Sequence, residues 1–255
     1  LHAYAQVVGA MPRAFAEAHP KWWHVSLKVT DHGLTTDPMP LLDGGTASIV
    51  MDLAGGTISV RTAGETTATI PMTDGLSARV VGERLSAALG ELGLAGDIDT
   101  DRFANDDERP FDAGAAASFW DVARLVASTF EEHLSGLSGD VGIVQLWPHG
   151  FDLSFEWFGT RVETHEENGE TTDHPAQLNL GFYPGGQAYF YSNPWPFDAD
   201  ALLGVALPHG AQWHTEGWEG SILRYEELAG DPDGPAKLAE YARAVFEAAS
   251  PTLMA

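Results

Sequence analysis

Two short segments place a histidine close to a carboxylate. In Leu146-Trp147-Pro148-His149-Gly150-Phe151-Asp152-Leu153 a Pro/Gly turn separates two strand-like runs. A turn imidazole beside a strand-start carboxylate is the arrangement that orients a general base or a metal ligand. With the second run extended to Phe158, Asp152, Ser154 and Glu156 share one face, and Leu153, Phe155 and Trp157 share the other. The same residues also read as a turn capped by Asp152, with His149 bonded to backbone. In Gln212-Trp213-His214-Thr215-Glu216-Gly217-Trp218, a strand would point Gln212, His214, Glu216 and Trp218 one way. That makes a His-x-Glu pair of the kind that converges on one ion; a cross-strand hydrogen bond on a half-exposed sheet is the alternative. The candidate catalytic residues are therefore His149, Asp152, His214, Glu216 and His24. The first four are also the candidate ligands if a divalent metal is the cofactor, a question the sequence leaves open.

Aromatic residues with polar tips form a second set. Tyr189, Tyr191 and Asn193 alternate onto one face of a strand, and Trp195 follows between two prolines. Rigid aromatics of this type suit a concave small-molecule site or a sugar platform, for which Trp147, Tyr189, Tyr191, Trp195, Trp213 and Trp218 are the candidates. Ordinary core burial competes for them, since eight Trp must be housed somewhere. Asp97, Asp99, Asp101, Asn105 and Glu108 match the spacing of a calcium loop, but the glycine position holds Arg102 and Pro110 follows. A solvated acidic loop is the better reading. Gly-x-Ser-x-Gly, Walker and Rossmann fingerprints are all missing from the sequence.

These residues need elements to hold them. Apolar spacing predicts a helix over residues 2–18 with Pro12 inside it, a strand over 22–29 that turns His24 away from the aliphatic side, and a β-meander over 47–53, 57–62 and 66–70 with a Gly64-Glu65 turn. A helix follows from Leu76 to Leu92. Beyond an acidic, turn-rich stretch the pattern restarts: a helix to Leu134, strands within 141–147, 152–158, 177–183, 188–193 and 212–225, and a last helix from Pro235 to Ala249. The expected fold class is α+β, antiparallel sheets flanked by helices, with two similar helix–meander–helix halves as one option. The corresponding division is a first half over 1–95, an acidic linker over 96–114, and a second half over 115–255 that carries most of the motifs. One integrated domain is the other option.

Composition narrows the partners. With 13 Lys and Arg against 37 Asp and Glu, the net charge is −24 over 255 residues. Nucleic-acid phosphate and anionic lipid headgroups are repelled by such a chain. No run of basic residues forms an island for phosphate. Apolar content of 44 % supports a packed core, and with no cysteine there is neither a disulfide nor a thiolate site. No apolar run approaches the roughly 20 residues of a membrane span, and the N-terminal segment reads as neither signal nor transit peptide. The expectation is a soluble, cytoplasmic protein whose partner is a small molecule, not nucleic acid or membrane.

The combination Trp23-His24, Gly33-Leu34-Thr35-Thr36, Leu146-Trp147-Pro148-His149-x-Phe151-Asp152, Gly181-Phe182-x-Pro184-Gly185, Tyr189-x-Tyr191-x-x-Pro194-Trp195-Pro196 and Trp213-His214-Thr215-Glu216-Gly217-Trp218 resembles an uncharacterised bacterial family, domain of unknown function number 5996. The likeness spans nearly the whole chain in one motif order. It implies that the motif residues above are that family's signature, and it implies no activity. Where that pattern carries an acidic residue after Pro-Gly, this chain has Gly186. Three functions follow from the residues: an acid–base or metal-assisted enzyme built on the His and carboxylate set, a non-catalytic small-molecule or carbohydrate binder built on the aromatics, and a structural or protein-interaction domain.

Overall fold

The computed structural model describes residues 1–63, 65–167 and 170–255. Gly64 of the expected Gly64-Glu65 turn lies outside them. Five α-helices and thirteen strands are present among the described residues, and every strand pairing is antiparallel, as the α+β reading requires. The chain forms two compact units, one of residues 1–124 with 145–151 and the other of residues 125–144 with 152–255.

In the first unit, α1 (His2–Phe15) buries Tyr4, Val7, Val8 and Met11, the stripe that its helical spacing put on one face. Strands β1 (Leu27–Thr30), β2 (Gly33–Thr35), β3 (Met39–Pro40), β4 (Thr46–Asp52), β5 (Thr57–Thr62) and β6 (Glu65–Pro71) follow as a meander. Ile49, Met51, Ile58 and Val60 from it are fully buried. Ser77 caps α2 (Ala78–Glu91) by accepting from the Val80 N–H at 3.3 Å. The acidic stretch 96–114 belongs to this unit: Phe103 is buried against Gly82 of α2, and the Arg109 carbonyl accepts from the Gly75 N–H at 3.0 Å.

The long α3 (Ala113–Ser135) is followed by β7 (Asp140–Val141), and by β8 (Gln145–Trp147), which pairs with β1. In the second unit β9 (Asp152–Glu167), β10 (Glu170–Tyr183), β11 (Tyr189–Trp195), β12 (Gln212–His214) and β13 (Gly220–Arg224) lie in the order β12-β13-β11-β10-β9, with β7 on the far side of β9. The short α4 (Ala199–Leu202) precedes β12, and α5 (Gly234–Ala249) closes the unit with Pro235 in its first turn. The β9–β10 pairing continues through polar residues, with His174 opposite Glu163 and Asp173 opposite Thr164; residues 168 and 169 lie outside the described part. Leu153, Phe155, Leu178, Leu180, Phe190 and Leu223 are buried on one face of these strands, where Phe155 meets Phe130 of α3 edge-on at 5.5 Å. On the same face, Ser192 and Ser221 are tied to Tyr241 of α5 through bonds of 2.6 and 2.7 Å. Among the described residues no helix is long and apolar enough to cross a membrane.

Candidate functional site

The other face of the second unit's strands is where polar residues gather. Pairing sets Glu156 opposite Asn179 and Asn179 opposite Asn193, then Ser154 opposite Gly181 and Gly181 opposite Tyr191, and Tyr183 opposite Tyr189. Alternation alone puts each strand's polar set on one side. Registry then merges the carboxylates of β9 with the tyrosines of β11 across β10. Glu156 and Ser154 are buried, while Asp152, Asn179, Tyr183, Tyr189, Tyr191, Asn193 and Trp195 are half-buried.

The aromatic rings form a continuous series. Tyr183 lies 5.4 Å from Tyr189, Tyr189 6.2 Å from Tyr191, and Tyr191 6.4 Å from Trp218, which in turn is 4.6 Å from the His214 ring. Tyr191 extends over Gly181, where an added Cβ would sit within 2.5 Å of its Cε1 and hydroxyl oxygen. Only glycine lets the ring cross β10 at that height. The phenol thereby reaches β9 and donates a hydrogen bond to the Asp152 carboxylate. Burial, followed by the Asp152 charge and this hydrogen bond, keeps the Tyr191 phenol protonated well above the ordinary tyrosine range. Tyr189 is also raised, mainly by burial, with Tyr183 and Asp152 adding to it. Asn193 spends one amide donor on the Glu219 carbonyl at 2.8 Å.

Four of the six aromatic candidates, Tyr189, Tyr191, Trp195 and Trp218, thus meet on or beside this face with Asp152 and His214. Trp213 does not. It stands opposite Ser221, on the core side, and its indole N–H donates to the Val205 carbonyl at 3.0 Å. Trp147 belongs to the first unit, where it packs edge-on against His149 at 6.0 Å. The expected strand through Glu216 and Trp218 ends at His214, and an exposed bend carries Glu216. The His-x-Glu pair therefore lacks the strand geometry that would converge it on an ion.

His24 departs from expectation as well. Trp22 adopts a left-handed conformation at φ 60°, which breaks the extended run, and residues Trp23–Val25 form a 3-10 turn instead of strand. His24 is buried there and accepts from the His19 N–H through Nδ1 at 3.1 Å. Burial lowers its pKa, against a smaller opposing pull from Asp37. Nearby, Lys28 donates to the Ser26 hydroxyl at 2.9 Å and pairs with Asp37 at 2.8 Å. Burial lowers the Lys28 pKa. A Ser–Lys contact resembles an activated nucleophile, yet Ser26 is wholly inaccessible and its hydroxyl has the Gln145 Oε1 and the Trp23 carbonyl as acceptors, so this cluster holds the fold.

Among the described residues no three His, Asp or Glu side chains converge as metal ligands. The set His149, Asp152, His214 and Glu216 is divided between the two units, with His149 in the first and the others in the second. In the calcium-like stretch Asp99 pairs with Arg102 at 3.2 Å, and Asn105 accepts from the Asp107 N–H at 2.7 Å.

Gln177, Asn179 and Tyr183 are members of the face that motif reading passed over. Their signal was present: in Gln177-Leu178-Asn179-Leu180-Gly181-Phe182-Tyr183 every second residue is polar, glycine or tyrosine.

Fold and site together define an α+β protein with a half-buried face of aromatic, amide and carboxylate side chains. The chain belongs to a family of unknown function (DUF5996), whose family model matches residues 1–254. No curated protein and no solved structure matches it.

Proposed function

We propose that the second unit binds a small, hydroxyl-rich, uncharged molecule of the carbohydrate type on the face centred on Asp152 and Tyr191. The observation that carries this reading is the ring series Tyr183–Tyr189–Tyr191–Trp218 running beside carboxylate and amide groups on the same face. Aromatic rings pack against the C–H faces of a sugar, and carboxylates and amides accept from its hydroxyls. The phenol of Tyr191 is held protonated by burial and by Asp152, which suits a fixed donor–acceptor pair and not a base that exchanges protons near neutrality. A ligand with negative charge would face Asp152 and Glu156 as well as the chain's net −24. Titrating neutral mono- and oligosaccharides while following tryptophan fluorescence tests the reading through Trp218 and Trp195. Saturable quenching that Trp218→Ala reduces supports it, and a flat response across the panel contradicts it.

Glu156 favours a second reading. Its burial and its position opposite Asn179 support that reading, acid–base chemistry on the same ligand. Product formation that Glu156→Gln abolishes while leaving quenching intact would separate this reading from simple binding.

A further inference from the structure

The first unit holds a small cavity of about 160 Å³ whose lining includes Gln6, Arg13, Arg102 and His149. Three separate segments supply them. Gln6 and Arg13 stand two turns apart on α1, so they share one stripe with Gly9 between them. Arg102 comes from the 3-10 turn Thr100–Phe103, and His149 from the turn after β8. Gly9 brings that turn close: a Cβ on it would lie 2.6 Å from Pro148 Cγ, and His2 Nε2 holds the His149 carbonyl at 3.0 Å.

Among the described residues the lining contains no Asp or Glu, in a chain where they outnumber Lys and Arg by 37 to 13. No basic island exists along the chain; the fold brings two guanidiniums, from positions 13 and 102, to one cavity. Both guanidiniums keep bonding capacity. Arg13 lies over the Trp22 ring at 5.3 Å, which occupies its face and leaves its N–H edge. Arg102 engages Asp99 through Nε at 3.2 Å with both side chains well exposed. Such exposed pairs contribute little and yield to a better partner. The net negative charge opposes entry at long range, but surface charges are screened beyond about 8 Å at physiological ionic strength, so the two guanidiniums decide the local field. At about 160 Å³ the cavity lies below the roughly 300 Å³ lower bound of pockets for larger ligands, which fits a single small group.

We propose that Arg13, Arg102, His149 and Gln6 form a binding site for one small oxyanion group, a phosphate or a carboxylate, free or carried on a small metabolite. This site is separate from the sugar-type face and stands or falls without it.

The test uses the whole chain with inorganic phosphate, acetate and glycerol phosphate, each against chloride at equal ionic strength. Thermal shift and calorimetry should show saturable binding of at least one oxyanion beyond the chloride control. Arg13→Gln or Arg102→Gln should weaken it about tenfold or more, as expected for loss of a charge-assisted hydrogen bond, and Arg→Lys should retain part of it. Amide shifts of Gln6, Gly9 and His149 in the unaltered protein give a readout that does not depend on the variants folding. Binding of phosphate or acetate marks a free anion, and binding of glycerol phosphate alone marks an anion borne on a metabolite. The proposal is overturned if no oxyanion exceeds chloride, if the perturbed amides lie elsewhere, or if folded Arg→Gln variants bind unchanged.

Discussion

The Tyr191 phenol on β11 donates to the Asp152 carboxylate on β9, and it does so by passing over β10 at Gly181. One missing side chain thereby links residues from strands that do not pair. The link joins the aromatic set to the carboxylate set and makes a single site out of two motifs 39 residues apart in sequence.

Gly181→Val should therefore act through Tyr191. Its side chain would occupy the space of the ring, and overpacking of this sort costs about 1–3 kcal/mol. Urea denaturation is expected to show that loss, and sugar quenching is expected to vanish in the folded fraction. A variant that binds as before would show that the crossing of Tyr191 over β10 has no bearing on the site.

Tyr191→Phe isolates the hydrogen bond from the ring. The ring series persists, while Asp152 loses its donor, at a cost of about 1.5–3 kcal/mol for a hydrogen bond to a charged group. Tyrosinate absorbance provides a sharper check. Because the Tyr191 phenol titrates well above its ordinary value of 10.0, the substitution should leave the rise near that value unchanged and remove only amplitude at higher pH. A smaller rise near the ordinary value would show that the phenol is not held by burial and Asp152.

Acidification should destabilise the protein before its carboxylates titrate. His24 and His133 both have folded pKa values lowered from the ordinary 6.5, each chiefly by burial; Arg243 adds to the effect at His133. His133 sits 6.1 Å from Phe155 and 6.0 Å from Phe246. Below the ordinary value the unfolded chain takes up protons first, so stability is complete above it and falls as pH drops through the lowered folded values. The urea midpoint should decline between about pH 7 and about pH 5, above the usual carboxylate range. His133→Phe should flatten that decline, and a midpoint that rises on acidification would contradict it.

Much of the fold was legible because periodicity is local. The buried stripe of α1, the β4–β6 meander and Pro235 at the start of α5 follow from residues close in sequence. The alternation that put Asp152, Ser154 and Glu156 on one face, and Tyr189, Tyr191 and Asn193 on another, was equally local. Their merger was not legible, since it depends on the β9–β10–β11 register and on Gly181 being the residue beneath the ring. Trp22 and Glu216 misled for a related reason: one left-handed residue and one early strand end moved His24 into the core and Glu216 into an exposed bend. Arg13 and Arg102 show the converse, two guanidiniums brought to one cavity from positions far apart in sequence, where no run of basic residues announces them.

The central claim is that the face around Asp152 and Tyr191 is a ligand site for hydroxyl-rich molecules. Its most direct measurement is amide chemical-shift mapping during titration with neutral mono- and oligosaccharides. The account predicts saturable shifts concentrated at Ser154, Asn179, Gly181, Tyr191 and Asn193, and lost in Gly181→Val. Shifts absent from these strands across the whole panel, or unchanged in that variant, would contradict it.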